Sequence, residues 1–203
     1  MSDRKAKIAV LVSGGGTNLQ AIIDAEKSGI IKSGTVALVI SNNSKAYALE
    51  RAAKAGIPSK CILKKECGSQ EAFEQAITAA LEEAGIELII LAGFMSILSK
   101  DFTDHFSRMI INVHPSLTPS FCGEGFYGLH VHEAALAKGV KVSGATVHYV
   151  NEVPDGGEII AQKAVYVEEG DTPETLQRRI MEQAEWILLP QAAEMICAQK
   201  INQ

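Results

Sequence analysis

The chain has 203 residues, of which 47% are hydrophobic and 21% charged, an ordinary globular composition with length for one domain, or at most two, and a core that needs no staples. A formal net charge of −5 argues against a nucleic-acid or anionic-membrane surface, so any anionic ligand must be held by local groups. The longest strongly apolar run, residues 88–95, is far too short to span a membrane, and Cys61, Cys67, Cys122 and Cys197 form no C-x-x-C pair and follow no secretory signal, so they read as reduced thiols of a cytoplasmic protein.

Residues 5–12 (K-A-K-I-A-V-L-V) have a charged start and then a continuous apolar run, the pattern of a strand buried on both faces of a parallel sheet. Ser13-Gly14-Gly15-Gly16-Thr17-Asn18 follows, and a helix opens over residues 19–25. Strand, glycine turn and helix form the geometry in which free N–H groups at a helix start face an anion. Thr17 and Asn18 are placed to cap that helix or to bond the same oxygens. The turn lacks the third glycine of G-x-G-x-x-G, and the chain has no G-K-[ST]. Both the dinucleotide fingerprint and the nucleoside-triphosphate loop therefore fail, which leaves a monophosphate site or a plain tight turn.

Residues 36–41 form a second predicted strand, and residues 46–55 a helix stopped by Gly56-Ile57-Pro58. Residues 60–63 suit a short edge strand, with Lys64-Lys65-Glu66 as solvated surface. A long amphipathic helix spans 69–84, with Ser69 as cap and Phe73, Ile77 and Leu81 at i, i+4 and i+8. Residues 88–92 are again a fully apolar strand, and a short helix leads to the next. Strands alternating with helices predict a doubly wound, mostly parallel α/β sheet, with ligands collecting outside the carboxyl ends of the strands.

The strand over 109–113 carries Asn112 and His114 at i and i+2, so both side chains leave the same face. An amide able to donate to an oxyanion would stand beside an imidazole able to move a proton; the plain alternative is a strand end and an interior histidine. Pro115 and Pro119 stop the strand. A glycine- and aromatic-rich loop over 120–128 leads into a helix through Ala137. His130 and His132 have the spacing of a metal pair on a strand, but no third acidic or cysteine ligand is obvious. Residues 142–150 and 158–167 read as antiparallel strands, joined by a turn in which Asp155 precedes two glycines. Thr172 as cap and Pro173 as first residue open a long C-terminal helix, which Pro190 is expected to bend.

The set S-G-G-G-T-N (13–18), L-A-G-F-M-S-I-L (91–98), N-V-H-P-S-L-T-P (112–119), G-L-H (128–130), G-A-T-V-H (144–148) and D-G-G (155–157) resembles the folate-dependent phosphoribosylglycinamide formyltransferase family of purine synthesis. The likeness runs from residue 7 to about residue 190. It implies a Rossmann-like fold in a single domain over 1–203, with a phosphate-binding half at about 1–110 and a catalytic and folate-binding half at about 88–203. It also implies 10-formyltetrahydrofolate as co-substrate, glycinamide ribonucleotide as acceptor, no metal, no nucleic-acid or membrane partner, and a monomer or homodimer. Asn112, His114 and Asp155 match the family's catalytic trio. Gly15, Gly16, Thr17 and Asn18 match its phosphate loop, and Glu185 a glutamate that contacts ribose hydroxyls. Met95, Ser96, Ile97 and Leu98, with Val150, Asn151, Glu152 and Val153, match the walls of the folate pocket.

Three departures stand out. Ser96 replaces a frequent arginine, the loop over 121–127 is long, and Trp186 stands where histidine is usual, after a helix offset by one residue. Two rival readings remain. One is another folate formyl enzyme, such as formyltetrahydrofolate hydrolase or methionyl-tRNA formyltransferase, which would normally carry a further domain. The other is a catalytically silent folate- or nucleotide-binding module.

Overall fold

A computed structural model describes residues 4–202. Seven strands form one sheet in the order β3-β2-β1-β4-β5-β6-β7. In chain order the elements are β1 (Ala6–Val12), α1 (Thr17–Ser28), β2 (Gly34–Ser41), α2 (Tyr47–Lys54), β3 (Ser59–Cys61), α3 (Lys64–Cys67), α4 (Gln70–Ala84), β4 (Leu88–Leu91), α5 (Lys100–His105), β5 (Ile110–His114), α6 (Leu129–Lys138), β6 (Val142–Tyr149), β7 (Ile159–Tyr166), α7 (Pro173–Ile180), a π turn (Met181–Glu185) and α8 (Trp186–Ile201). Strands β1 to β5 pair in parallel, while β6 and β7 run antiparallel to their neighbours. This is the expected mostly parallel α/β sheet with antiparallel C-terminal strands.

The strand period explains the continuous apolar runs. Along β1, Ala6, Ile8, Val10 and Val12 enter the cluster that contains α1, α2 and α8 residues. Ala9 and Leu11 point the other way, into the cluster with Phe73, Ile77 and Leu81 of α4. A strand covered on both faces has no polar side to alternate with. The short edge strand β3 is exposed throughout, and Lys64–Cys67 is a single helical turn whose Lys64, Lys65 and Glu66 are exposed, as expected of solvated surface.

Two local expectations give way. Helix α1 begins at Thr17, and its N-cap is Gly16 in the left-handed region at φ 69°. Neither Thr17 nor Asn18 caps it, because Asn18 turns its amide to Glu185 instead. The C-terminal helix runs on through Pro190 to Ile201, and its departure from α geometry is the π turn at Met181–Glu185. A π turn closes i to i+5 bonds and so takes up one residue more than an α turn. A one-residue offset just before Trp186 is what such a turn absorbs.

Phe73 is fully buried at the centre of the α4 layer. Phe73→Ala is expected to lose about 3–5 kcal/mol of unfolding free energy, read from the midpoint and slope of urea denaturation. A loss below about 1 kcal/mol would mean that this layer is loosely packed.

Candidate active site

Five parallel strands deliver their carboxyl ends to one edge of the sheet. The turn after β1, the loop after β4 and the segment after β5 all leave from it. The antiparallel β6 then lies beside β5 with Asn112 opposite His148 and His114 opposite Thr146. That register places a second imidazole next to the Asn112 amide.

The D-G-G turn swings a carboxylate into this group. Asp155 has φ 54°, a left-handed conformation that aspartate tolerates better than most residues. Gly157 is required by space, since a Cβ there would lie 1.7 Å from the Tyr149 carbonyl oxygen at the end of β6. So folded, Asp155 presents Oδ2 to His114 Nδ1 at 3.2 Å and Oδ1 to His148 Nε2 at 3.5 Å. Asn112 Nδ2 donates to Asp155 Oδ1 at 3.4 Å, and the Gly123 N–H donates to Oδ2 at 3.0 Å. Asn112, His114 and Asp155 thus come together as expected, and His148 joins them.

Backbone carbonyls fix both rings. His114 Nε2 is 2.8 Å from the Phe121 carbonyl oxygen, and His148 Nδ1 is 2.8 Å from that of Tyr149. A carbonyl only accepts, so those nitrogens carry hydrogen. In each neutral ring the remaining nitrogen is then a lone pair aimed at Asp155 or at the Asn112 amide. His148 Nε2 accepts from Asn112 Nδ2 at 3.3 Å. His114 Nδ1 meets the carboxylate, and only a further proton turns that contact into a hydrogen bond.

The electrostatics match. Burial pushes the His114 imidazole below its ordinary value, helped by His148, while Asp155 and the Phe121 carbonyl push back. Burial acts to raise the Asp155 carboxyl, but the adjoining His148 ring, the Gly123 N–H and the His114 ring outweigh it and hold it below the usual range. The pair therefore rests as carboxylate beside neutral imidazole, with a place ready for one proton.

Buried hydroxyls lock the segment after β5. Thr146 Oγ1 donates to the Ser116 carbonyl at 2.7 Å and accepts the Thr118 N–H at 3.1 Å. Ser116 Oγ donates to the Ser120 carbonyl at 2.6 Å. This ladder holds the chain where the Phe121 carbonyl meets His114, and it accounts for the N-V-H-P-S-L-T-P and G-A-T-V-H pairing.

A cavity of about 140 Å³ opens beside the cluster, lined by Phe94, Ser96, Ile97, Leu98 and residues 150–155 together with Asn112 and His148. All the expected pocket residues line it except Met95, which is 58% exposed and gives its N–H to Ser13 Oγ at 2.8 Å. Ser96 Oγ accepts from Asn42 Nδ2 at 2.8 Å. His130 and His132 do not form a pair: both lie on helix α6, His130 contacts Glu133 at the surface, and His132 is fully buried. Burial pushes His132 down to about 4, with His114 adding to the effect.

At the other end of the same edge lies the glycine turn. A Cβ at Gly14 or Gly15 would meet nothing within 4 Å, whereas one at Gly16 would strike Ala48 of α2 at 2.6 Å. Glu185, delivered by the π turn, accepts from Asn18 Nδ2 at 2.8 Å and so borders this turn. Burial raises its carboxyl to about 7, against the lowering pull of Asn18.

A parallel sheet with a glycine turn at one end of its carboxyl edge, and an amide–imidazole–carboxylate cluster beside a cavity at the other, has the layout of an enzyme of the α/β class. The chain belongs to the formyl transferase family, which it matches over residues 6–192. It is 44% identical to the phosphoribosylglycinamide formyltransferase of Haemophilus influenzae over 177 residues, covering 87% of this chain and 81% of that protein. It is also 44% identical to a trifunctional purine biosynthetic protein adenosine-3 of Gallus gallus over 194 residues, which cover 96% of this chain but 19% of that longer protein. The glycinamide ribonucleotide transformylase 1 structure from Symbiobacterium toebii superposes with a TM-score of 0.89 at 42% identity, over 96% of this chain and 89% of that one.

His148 was missed as a site residue, although its motif was noted; only the β5–β6 register shows that it stands opposite Asn112.

The raised Glu185 value has a sign that can be checked. A folded carboxyl held above its unfolded value contributes fully below the unfolded value, and that contribution is lost as pH rises through about 7. Glu185→Gln keeps the acceptor for Asn18 and removes the titration. Its Tm relative to wild type is expected to climb between pH 5 and pH 8 by at least about 2 °C. A difference that stays flat across that window would show that Glu185 does not titrate there.

Proposed function

We propose that this protein transfers the formyl group of 10-formyltetrahydrofolate to the primary amine of glycinamide ribonucleotide in purine biosynthesis. The observation that carries the reading is the placement of the Asn112–His114–Asp155 cluster beside the cavity after β4, on the same sheet edge as the Gly14–Asn18 turn. The names of the similar proteins support formyl transfer and the glycinamide ribonucleotide acceptor. On this reading residues 1–110 supply the phosphate side and residues 88–203 the folate and catalytic side of one formyltransferase domain.

In the roles we propose, amides at the start of α1 and Gly15, Gly16, Thr17 and Asn18 take the phosphate, with Glu185 at the ribose. Ser96, Ile97, Leu98, Val150, Asn151, Glu152 and Val153 wall the folate, and Met95 meets it from the rim. The neutral amine attacks the formyl carbon, forming a C–N bond and an alkoxide. The Asn112 amide donates to that oxygen; its bonds to His148 and Asp155, at 3.3 and 3.4 Å, are long enough to be exchanged for it. One preorganised donor of this kind is worth about 3–4 kcal/mol in related acyl transfers. The proton of the attacking nitrogen passes to the His114–Asp155 pair, and the imidazolium so formed is stabilised by the carboxylate. The same proton goes to N10 as the C–N10 bond breaks, so formylated product and tetrahydrofolate leave with no proton left over.

Purified protein mixed with glycinamide ribonucleotide and 10-formyltetrahydrofolate should release tetrahydrofolate only when the amine is present. Release without the amine would favour a hydrolase, and binding without turnover a silent module.

Asp155→Asn keeps the size and turn propensity of the residue but removes its charge. His114 then loses its main raising influence, so its value falls further and the acid limb of the pH–rate profile moves to lower pH. The kcat should fall about 10²–10⁴-fold with little change in either KM. Wild-type kcat in this variant would leave Asp155 as a turn residue.

Gly15 is the position at which to test the phosphate turn, because the Ala48 clash makes Gly16 a packing site as well. Gly15→Val should raise KM for the ribonucleotide far more than for the folate. Equal increases in both would remove the phosphate assignment.

A further inference from the structure

We infer that Arg51 is the positioning residue of the phosphate turn: from α2 it holds the Gly15 carbonyl and so aims the Gly16 N–H at the substrate phosphate. The inference rests on the proposed phosphate role of that turn. Its physical basis is the planar trans peptide, in which C=O and N–H point in opposite directions.

Three successive carbonyls of the turn are held from the α2 side. The Ser13 carbonyl accepts from Asn43 Nδ2 at 3.0 Å, the Gly14 carbonyl from the Ala48 N–H at 3.1 Å, and the Gly15 carbonyl from Arg51 Nε at 2.8 Å. Each anchored carbonyl turns the N–H of the next residue, Gly14, Gly15 or Gly16, to the opposite side. Consecutive N–H groups facing one way make a concave anion seat. The first two anchors are a short amide side chain and a backbone N–H. The third spans the gap with the long arm of Arg51, the only one of the three that also brings a positive charge.

Arg51 is held firmly enough to do this. Its Nη1 donates to Gln20 Oε1 at 3.1 Å, and the Gln20 N–H donates to the Gly16 carbonyl at 2.9 Å, so the guanidinium clips both flanks of the turn. The guanidinium carbon lies 5.0 Å from the centre of the Tyr47 ring, a stacking that restrains an otherwise flexible chain. Lys54 Nζ lies 5.2 Å from the centre of the same Tyr47 ring. In a chain of net charge −5, such a local cation supplies the attraction that the overall field does not.

The test compares wild type, Arg51→Met, Arg51→Lys and Tyr47→Leu, with glycinamide ribonucleotide as substrate and inorganic phosphate as competing probe. In wild type, phosphate should compete with the ribonucleotide and not with the folate. Arg51→Met keeps the stem and should raise both the ribonucleotide KM and the phosphate inhibition constant by about tenfold, the range of one lost charge-assisted hydrogen bond. The kcat, the folate KM and the Tm should stay near wild type, and Arg51→Lys should recover part of the loss. A merely structural role would lower Tm and kcat together and leave the phosphate constant alone. Tyr47→Leu, at a half-exposed ring, should move the same two constants in the same direction by less, and it carries the test if Arg51→Met folds poorly. If wild type competes with phosphate but these variants bind it unchanged, the Arg51 assignment falls and the phosphate turn stands. If phosphate does not compete in wild type, the phosphate turn itself falls and takes Arg51 with it.

Discussion

The contact between Asp155 and two ring nitrogens organises the site. Each imidazole is pinned from behind by a backbone carbonyl, so neither can turn its N–H toward the carboxylate without abandoning a 2.8 Å hydrogen bond. A half-buried carboxylate is costly unless it is hydrogen-bonded, and Asp155 persists because Gly123 and Asn112 donate to it. The remaining demand is for one proton. Formyl transfer to an amine releases one proton at attack and consumes one at expulsion, so a cluster short of a single proton suits that chemistry better than one already satisfied.

Much of this was legible locally. Asn112 and His114 share a face because strand periodicity is a property of neighbouring residues, and the apolar runs of β1 and β4 declared a sheet covered on both sides. The strand–turn–helix start at residues 6–28 was likewise marked by its glycines. What escaped depended on partners distant in sequence. His148 gains its role from antiparallel register with β5, and no pattern within residues 144–148 states that register. The expected caps at Thr17 and Asn18 failed for a similar reason. Asn18 finds a better partner 167 positions away in Glu185, and Gly16 in a left-handed conformation opens the helix in their place.

The π turn has a comparable cause. Glu185 must reach the N-terminal turn, while the hydrophobic face of α8, with Leu188, Leu189, Ala192, Ala193 and Ile196, must lie on the sheet. An uninterrupted α-helix fixes the angle between these two requirements. One wider turn at Met181–Glu185 resets it, so the carboxyl is buried against Asn18 while α8 keeps its packing. Pro190 stays inside α8, although a proline in a helix interior ordinarily weakens it.

Ser96 shows how a departure from a family pattern can be integrated rather than merely tolerated. An arginine there would project a long charged arm, whereas Ser96 accepts from Asn42 Nδ2, and the neighbouring Met95 N–H is accepted by Ser13 Oγ. Asn43 in turn donates to the Ser13 carbonyl. The loop after β1, the loop after β2 and the loop after β4 are thereby stitched into one polar strip along the carboxyl edge. The strip connects the turn anchored by Arg51 at one end to the cavity beside Asn112 at the other. Glu152, Asp155 and the imidazole of His148 line that cavity, so the strip ends against two carboxylates.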